Sequence, residues 1–552
     1  MNISEIFTKK NLEILELLMK KPFHIRDIAS QLKCSPAKAH ATIQLFKRIG
    51  LVKELSYKNR KVIVLEKNNG LLEQIQKLIH FEKKGVPSNE TIGLFDNISP
   101  LDFRYYGRDE KLVNEAGPYL SEEGFVRYLA KVEAALARAL AKRGICSEAI
   151  ADEIEKAAKQ VTAHEVYAEE DRIKHNIRAL ANCIRSKVSE KAKPYVHYTA
   201  TSHDIICSAD AARYNDFTSD ALWKYMLSFE KTLIELAERE KNTVQIGRTH
   251  GQHAEPITFG FAIAQYVSRF GSSMEKIRKT ANNLRGKMAG AVGAYNASSL
   301  SFADPIAFER DVLDQLGIKP SPIATQVVEA EYMADFVHSV LSAFGVLANL
   351  ADDMRHLQRS EIGEVGEFFE SQQVGSSTMP QKRNPINFEN VKSLWKVFMP
   401  RIATSYMDQI SEHQRDLTNS ASSRFIPEIL IGFLSSVIRL DRVMKKLVVD
   451  KNNLKKNFDQ NKDMIVAEPL YILLASYAHP DAHEYVREKT LESQKTGKPL
   501  IEMVKRDKTI QKYMDKFTKK QMALITNPEN YTGVAVKKTE EVCSFWRKKL
   551  KI

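Results

Sequence analysis

GSSTMPQKRNP, residues 375–385, is the stretch from which the fold can be inferred, because it joins a glycine-serine segment to two cations and an Asn-Pro stop. Glycine and serine let the backbone turn tightly, and Lys382 brings a positive charge to the turn. A helix should follow Pro385, with Glu389 in its first turns. Composition alone is equally typical of an exposed loop ahead of a helix. The pattern predicts a loop that closes on an anionic substrate.

Around this loop, from about residue 100 to the C-terminus, apolar residues recur at spacings of three and four. Such stripes cover residues 222–236, 259–270 and 341–357. This period places apolar side chains on one helical face, and few strand patterns interrupt it. The sequence therefore predicts a mainly α fold with a bundle of long, nearly parallel helices. The stripes are core, so function must come from polar positions at the bundle ends.

Two polar segments that precede the loop are candidates for the site. Residues 197–204, HYTATSHD, place Thr201 and Asp204 at capping-box spacing, which predicts a helix start with its amide donors directed outward at an anion. Residues 247–256, GRTHGQHAEP, place His250 in a polar turn before a long apolar helix. A lone histidine is usually structural, so each segment is weak evidence by itself.

A fourth segment, residues 414–424, reads QRDLTNSASSR and puts Ser420 and Arg424 on one helical face at i and i+4. In order and spacing, the four segments together resemble the fumarase/aspartase superfamily. The Lys-Arg-Asn-Pro-Ile ending of the loop is most similar to the adenylosuccinate lyase family. The resemblance implies a three-part helical body with a long central bundle, and β-elimination of fumarate from a succinyl compound.

The resemblance also implies catalytic roles. Ser377 is similar to the general base that takes a proton from the succinyl β-carbon. His250 resembles the general acid that protonates the leaving nitrogen, with Glu389 holding its imidazole. Lys382 would favour ionisation of the serine, and His197 would support the site near the phosphate. No metal and no organic cofactor are implied.

A nucleotide substrate is implied by the same family. Its arginines suit a phosphate because the guanidinium group makes paired hydrogen bonds. The implied reactions are cleavage of adenylosuccinate to AMP and fumarate, and the equivalent cleavage of succinyl-aminoimidazole carboxamide ribonucleotide in purine biosynthesis. The implied substrate-binding residues are Arg104, Tyr105, Thr201, Ser202, Thr249, Gln326, Met379, Asn384, Arg415, Ser420 and Arg424.

Several positions depart from the family pattern. Thr199 stands where glycine is frequent, Gln414 where glutamate is usual, and Gln381 where histidine or tyrosine is common. Residues 329–331 read Glu-Ala-Glu in place of an Arg-Asp pair. These departures leave open a different substrate, of the argininosuccinate or carboxymuconate type. A further alternative is a nucleotide-sensing, DNA-binding regulator on a lyase scaffold, although a pure sensor would not need the acid-base pair.

The first 84 residues carry most of the net charge of +13. They hold 17 Lys or Arg and 8 Asp or Glu, whereas the remaining 468 residues hold 65 and 61. A local basic excess of this size suits a polyanion such as duplex DNA, although a solvated basic surface is equally common.

Residues 1–66 show the pattern of three short helices and a hairpin. Asn11 is the predicted cap of the first helix, and Ser35-Pro36 starts the third. The order resembles a winged helix-turn-helix, which would either bind DNA or serve dimerisation and packing. The residues predicted to contact DNA are Lys38, His40, Lys47, Lys58, Arg60 and Lys61.

The remaining predictions concern organisation. Five scattered cysteines indicate neither a disulfide framework nor a zinc site. No apolar run reaches the roughly 18 residues of a membrane helix, and a signal-peptide core is absent, so we expect a cytoplasmic protein without a membrane partner. The family implies a homotetramer with sites built from several subunits. The predicted domains are a winged helix at 1–66, a helix and linker at 67–98, and lyase-like parts at 99–212, 213–455 and 456–552.

Overall fold

The structure, a computed structural model, describes residues 8–57, 60–66, 93–370 and 377–552. By its internal contacts the chain divides into two compact units, Met1–Ile98 and Ser99–Ile552. The helix predicted after residue 67 and Lys58 at the hairpin tip lie outside the described residues.

The first unit contains helices followed by a hairpin. Its elements are α1 (Lys9–Lys20), α2 (Ile25–Gln31), α3 (Pro36–Arg48), β1 (Val52–Tyr57) and β2 (Arg60–Leu65). The strands are antiparallel, with Val52 opposite Leu65. Apolar side chains from all three helices and both strands form one small core, which includes Ile14, Ile43 and Ile63. The order of elements agrees with the sequence prediction.

The helix caps of this unit follow local sequence in one case and not in another. The Lys38 amide donates to Ser35 Oγ at 3.2 Å, as the predicted cap of α3 requires. The predicted Asn11 cap is wrong, because α1 begins earlier and its cap is Thr8, whose Oγ1 accepts from the Asn11 amide at 3.3 Å. The Asn11 side chain is instead buried and accepts from Thr42 Oγ1 at 2.8 Å. It therefore links α1 to α3.

The second unit is mainly helical, which confirms the predicted fold class. Its elements in chain order are α4 (Glu110–Leu120), α5 (Glu122–Lys142), α6 (Glu148–Ala158), α7 (Ala163–Ile173), α8 (Asn176–Ser186), α9 (Ser202–Asp216), α10 (Trp223–Arg239), β3 (Val244–Thr249), β4 (Gln252–Thr258), α11 (Phe259–Ala281), β5 (Arg285–Gly286), α12 (Pro305–Asp314), β6 (Lys319–Pro320), α13 (Glu331–Leu357), β7 (Val365–Gly366), α14 (Ile386–Phe398), α15 (Arg401–Met407), α16 (Ile426–Lys445), β8 (Val448–Val449), α17 (Lys451–Ile465), α18 (Ala467–Ser476), α19 (Ala482–Thr496), α20 (Leu500–Arg506), α21 (Lys508–Met514), α22 (Lys519–Thr526) and α23 (Ala535–Leu550).

The long helices α10, α11, α13, α14 and α16 pack against one another around a continuous apolar core. Helix α13 has 27 residues and is therefore about 40 Å long. It is long and apolar enough to cross a membrane, but 67% of its most apolar window is buried inside the protein. It is the core helix of the bundle, as the stripe at 341–357 predicts.

Helices α18 to α22 surround a second, smaller apolar cluster that includes Leu470, Leu474 and Val504. The last helix, α23, returns to the bundle and packs against α10 and α11. Trp546 lies so close to Gly271 of α11 that a Cβ there would come within 2.5 Å of the indole ring. Glycine at 271 lets α23 approach α11 closely.

Candidate active site

The loop at 368–384 is tied together at its two stems. Glu367 is nearly fully buried just before the loop, and its Oε1 accepts from the amides of Asn387 and Phe388 at 2.9 and 3.0 Å. These amides open α14, where a carboxylate is favourable because the helix dipole and unpaired N–H groups point at it. Gln358 contacts both stems, donating to the Arg383 carbonyl at 3.3 Å and accepting from the Glu367 amide at 3.0 Å.

Several predicted site residues share a solvent-open depression of about 600 Å³ beside this loop. Helix α14 begins at Ile386, so Glu389 lies in its first turn, as predicted. Arg355 in the last turn of α13 and Arg359 just after this helix were not among the predicted site residues. Four cations and two carboxylates line the depression, so it favours an anion. Its lining residues are Arg355, Gln358, Arg359, Ser360, Glu361, Met379, Gln381, Lys382, Arg383, Asn384, Pro385 and Glu389. Ser377 and Thr378 are exposed on the same loop.

His250 lies at the tip of the β3–β4 hairpin, where the sequence predicted only a polar turn. His250 and Gly251 both have positive φ, 53° and 74°, between the paired residues Thr249 and Gln252. Two successive positive φ values are typical of a type I′ turn, which matches the twist of a hairpin. The turn leaves His250 and Thr249 exposed to solvent. The hairpin, whose register shifts between Ile246 and Arg248, thus presents the predicted acid at the tip of a short two-stranded element.

The hairpin is anchored by Glu364, which is completely buried. Its carboxylate accepts from both Nη atoms of Arg248, at 3.1 and 2.5 Å, and from Gln245 at 2.8 Å. Asn457 of α17 donates to it at 2.9 Å. A buried carboxylate needs such donors to remain charged. Glu364 therefore fixes the base of the hairpin two residues from His250.

The start of α9 is organised around Asp204. The Thr201 amide donates to Asp204 Oδ2 at 2.9 Å, which is one half of the predicted capping box. Asp204 also pairs with Lys287, and both side chains are fully buried. The Gly290 carbonyl accepts a further hydrogen bond from Lys287 Nζ at 2.9 Å. These contacts hold Thr201 and the neighbouring Ser202 at a fixed helix start.

Arg415 lies near this helix start, together with His203. Burial and the nearby cations Arg415 and Lys287 lower the pKa of His203 to about 4, so its imidazole is neutral. The Gln326 amide donates to the Gln414 carbonyl at 3.4 Å, which brings the segment of Gln326 beside Arg415. Among the described residues, Nε and Nη2 of Arg415 are buried without a hydrogen-bond partner. Two orphaned guanidinium donors at this place favour an anionic ligand.

His197 is held by Glu133, a buried residue of α5. The Glu133 carboxylate accepts from the His197 amide at 3.1 Å and contacts Nδ1 at 2.6 Å. Burial disfavours the charged imidazole, but the Glu133 carboxylate outweighs it and raises the pKa of His197. Thr199, where the family often has glycine, has φ 61°. Its backbone thus adopts the left-handed conformation that glycine accepts more readily.

Arg104 and Tyr105 lie in a short helical segment, Leu101–Tyr106, that packs against α16. The Tyr105 hydroxyl accepts from Asn390 Nδ2 at 3.0 Å, one residue beyond Glu389. Ser420 and Arg424 do not share a regular α-helix as predicted, because only a 3₁₀ turn, Ser422–Phe425, precedes α16. Arg424 Nη1 nevertheless donates to the Ser420 carbonyl at 2.8 Å.

The single chain gathers the predicted residues into separate groups. Met379, Lys382, Asn384 and Glu389 form one group, whereas His250 lies on its hairpin. No hydrogen bond joins the described side chains of His250 and Glu389. The part of the chain that the structure describes also contains no cluster of three His, Cys, Asp or Glu residues placed to hold a metal ion.

Sequence reasoning missed the residues that support these groups. Glu364 and Glu367 have a readable signal, two acids three residues apart directly before the loop. Glu133 and Lys287 have none, because their partners lie 64 and 83 residues away in the sequence.

Comparisons with known proteins identify the family of this chain. Residues 82–398 match the family described as "Lyase", and residues 411–532 match "Adenylosuccinate lyase C-terminal". The chain is 35% identical to an adenylosuccinate lyase of Pyrococcus abyssi over 81% of this chain and 98% of that protein. It is 31% identical to an adenylosuccinate lyase of Archaeoglobus fulgidus, over 82% of this chain and all of the relative.

Solved structures share the fold at lower identity. A fumarate lyase of Mesorhizobium sp. BNC1 superposes with a TM-score of 0.67 at 23% identity, covering 78% of this chain and 97% of the other. A 3-carboxy-cis,cis-muconate lactonizing enzyme of Pseudomonas putida gives 0.69 at 21% identity, covering 79% and 97%.

Proposed function

Because the chain belongs to the adenylosuccinate lyase family, we propose that it is a fumarate-releasing carbon–nitrogen lyase acting on adenylosuccinate. The same elimination would cleave succinyl-aminoimidazole carboxamide ribonucleotide in purine biosynthesis. The observation that carries the proposal is the stem-tied loop, which sets Lys382 and Asn384 beside an arginine-rich depression. We further propose a cytoplasmic protein whose body divides into parts at 99–212, 213–455 and 456–552.

The proposed chemistry is a β-elimination with a separate base and acid. Ser377 takes a proton from the succinyl β-carbon, and the electron pair moves into the adjacent carboxylate. Lys382, Asn384, Thr201 and Ser202 supply donors there, and loss of one such donor typically costs roughly 100- to 1,000-fold in rate. The carbon–nitrogen bond then breaks to form fumarate.

The leaving nitrogen takes its proton from His250. Its exposed position at a hairpin tip suits an acid that meets a substrate held by other groups. Glu389, proposed to orient this imidazole, comes from another subunit, which accounts for the absence of a hydrogen bond between these two described side chains in the single chain. His197, whose pKa the Glu133 carboxylate raises, supports the site near the phosphate.

The phosphate and base of the nucleotide are proposed to meet the remaining residues. Arg415 contributes its two unpartnered buried donors. Residues 329–331 read Glu-Ala-Glu where the family has an Arg-Asp pair. Glu329 accepts a hydrogen bond from the Ser321 hydroxyl, so we do not assign it a contact with the phosphate. The other proposed contacts are Arg104, Tyr105, Thr249, Gln326, Met379, Ser420 and Arg424.

The first test is fumarate release from adenylosuccinate by the purified protein. Ser377→Ala should reduce the rate at least about 100-fold, since a positioned general base contributes about that much or more. Ser360→Ala, an exposed serine of the same depression, is the matched control and should retain activity.

Argininosuccinate is run in parallel to test the alternative substrate. Release from argininosuccinate alone would favour that alternative, and release from neither would favour a carboxymuconate-type substrate or a nucleotide-sensing regulator on the lyase scaffold.

We propose a homotetramer with sites shared between subunits. The segment from α14 to α16 exposes many large apolar side chains, which a soluble monomer seldom leaves uncovered. These are Val397, Tyr406, Met407, Ile410, Leu417 and Phe425.

Co-assembly of a Ser377→Ala chain with a His250→Ala chain tests the shared sites. If each site takes the two groups from different subunits, about one quarter of the sites in an equal mixture would be intact. No recovery in verified mixed tetramers would remove the shared-site proposal.

For the first unit we propose a winged helix-turn-helix that binds duplex DNA through α3. The Ala39 side chain has no group that could hydrogen-bond to a DNA base. It is fully buried and belongs to the apolar core of the first unit. The exposed face of α3 instead carries Lys38, His40, Gln44 and Arg48. These side chains combine positive charge with hydrogen-bonding groups that suit a major groove.

The wing contributes less charge than its sequence suggests. Lys47 and Lys61 both contact Glu54, and their hydrogen bonds hold the pKa of that carboxyl below its usual value. Arg60 lies at the start of β2, and Lys58 lies outside the described residues. We therefore assign the main contact to α3.

A gel-shift assay of the full chain on duplex DNA tests this proposal. Affinity should fall roughly 100-fold between 50 and 200 mM salt if about four phosphates are contacted. A Lys38→Ala, Arg48→Ala double variant should weaken binding, whereas Lys159→Ala in the lyase-like unit should not. Absent or salt-independent binding would favour a role in dimerisation or packing.

A further inference from the structure

The four residues from Glu364 to Glu367 connect the two elements that carry the proposed acid and base. Glu364 binds Arg248 and Gln245 at the base of the His250 hairpin. Glu367, three residues later, binds the first amides of α14 and so joins the two stems of the Ser377 loop. Between them, β7 pairs with β8, so the segment is fixed to the body.

Both carboxylates are buried and almost fully used as acceptors. Glu364 receives four side-chain hydrogen bonds from three residues. At Glu367, Oε1 accepts two backbone amides and Oε2 accepts Asn387 Nδ2 at 2.6 Å. A charged acceptor with this many donors holds its partners in one geometry.

The contact at Asn387 extends to a second arginine. Arg439 Nη1 of α16 donates to Asn387 Oδ1 at 2.8 Å, while Asn387 Nδ2 donates to Glu367. The two bonds leave the Asn387 amide only one orientation. Glutamine at position 367 would therefore place its NH₂ group against one of these N–H donors. Asn387 could rotate its amide to accept from that NH₂ group only by losing its hydrogen bond with Arg439.

We propose that Glu364–Glu367 is a positioning segment for the reaction, in which Glu364 aligns the acid-bearing hairpin and Glu367 aligns the base-bearing loop. The inference rests on the proposed lyase function. Neither carboxylate touches the substrate, because each is enclosed by its donors. Each acts through geometry, and a displacement of about 1 Å at a reacting group can cost on the order of 100-fold in rate.

The test compares Glu367→Gln with Glu370→Gln, which removes the same charge from an exposed position three residues later. Glu367→Gln should lower kcat for adenylosuccinate at least about tenfold, with KM changed less than about threefold, because the proposed phosphate ligands lie elsewhere. Hydrogen exchange at the amides of 387–388 should be faster in Glu367→Gln alone. Glu364→Gln, with Glu235→Gln on the exposed side of α10 as its control, should give the same kcat effect without this change in exchange.

The outcomes separate this inference from the proposed function. An active wild-type protein whose Glu367→Gln variant keeps the kcat of Glu370→Gln would overturn the positioning role and leave the lyase proposal intact. A fall in kcat accompanied by a similar fold-rise in KM and by a lower melting temperature would also overturn it. Such a result would indicate that the whole fold is destabilised. An inactive wild-type protein would overturn the proposed function instead, whereas the exchange difference would still report whether Glu367 holds α14.

Discussion

Two buried glutamates in different regions of the body have opposite surroundings. Glu364, beside the candidate site, and Glu230, inside the bundle on α10, are both completely buried. Glu364 has four side-chain donors, whereas within the described chain neither carboxylate oxygen of Glu230 has a hydrogen-bond partner. Burial raises the pKa of Glu230 well above its usual value. The number of donors, and not the depth of burial, distinguishes the two carboxyl groups.

The surroundings of Glu364 and Glu230 also differ in whether a polar side chain is needed to hold neighbouring elements together. Near Glu364, a strand, a helix and a loop must meet in one arrangement, and a charged acceptor fixes that arrangement. Glu230 lies near the Cys543 thiol, whose pKa burial raises to about 12. Because no hydrogen bond from the described residues offsets its burial, Glu230 lowers stability.

The largest effect is expected when Glu364, the glutamate with four donors, is removed. Glu364→Ala leaves Arg248 largely buried without its partner and should lower the free energy of unfolding by about 3 to 5 kcal/mol. Urea unfolding followed by circular dichroism measures the loss. Glu361→Ala, an exposed acid three residues earlier, should stay within about 0.5 kcal/mol of wild type. A loss no larger than that control would mean that the donors around Glu364 add no stability.

The second prediction concerns the unpartnered member and depends on pH. The folded pKa of Glu230 lies above its unfolded value, so the unfolded state ionises first as pH rises. Stability should then fall by about 1.4 kcal/mol for each pH unit between the two pKa values. Glu230→Gln, which cannot ionise, should be more stable than wild type at pH 8 and similar to it at pH 4. Glu235→Gln on the exposed side of α10 should show no such trend.

Glu133 is an intermediate case, a buried carboxylate with one titratable partner, and it sharpens the comparison. The raised pKa of His197 stabilises the fold below the ordinary histidine pKa near 6.5, and this contribution is lost as pH rises through the folded value. Glu133→Gln should therefore cost about 1 kcal/mol more at pH 5.5 than at pH 9. Thermal unfolding at both pH values measures it, with Glu148→Gln as an exposed control. An equal cost at both would exclude a charged His197.

The smallest expected effect concerns backbone instead of charge. Thr199→Gly relieves a non-glycine residue at φ 61° and should raise stability by at most about 1 kcal/mol, because glycine also adds entropy to the unfolded chain. Thr162→Gly, at a helix cap with φ −113°, should instead lower stability by a few tenths of a kcal/mol. A loss at Thr199 would show that its side-chain contacts outweigh its backbone conformation.

Features set by neighbours in the sequence could be predicted. The Ser35 cap, the Thr201–Asp204 spacing and the helix after Pro385 each depend on residues within four positions of one another. The stripe at 341–357 correctly predicted a core helix for the same reason. The hairpin at β3 and β4 was missed because its strands are polar, although His-Gly between two strands is compatible with a type I′ turn.

Features set by distant partners could not be predicted. Lys287 and Asp204 lie 83 residues apart, and Arg248 and Glu364 lie 116 apart, so no local pattern marks either pair. Asn11 is a residue type that often caps helices, but its buried side chain instead accepts a hydrogen bond from Thr42 and links α1 to α3. The catalytic and substrate-binding roles remain predictions, because they depend on a substrate and on neighbouring subunits.

The bond from Glu367 to the start of α14 also affects how the chain could be divided. Because the stems of the loop are held by Glu367, Gln358 and Asn387, the backbone between Glu370 and Ser377 is not needed to keep α13 and α14 together. Both helices also pack against each other in the bundle. The polypeptide could therefore be expressed as two fragments separated within this loop, which would reassemble without a peptide bond between them. Association of the two fragments would then report how strongly the bonds of Glu367 join the two helices.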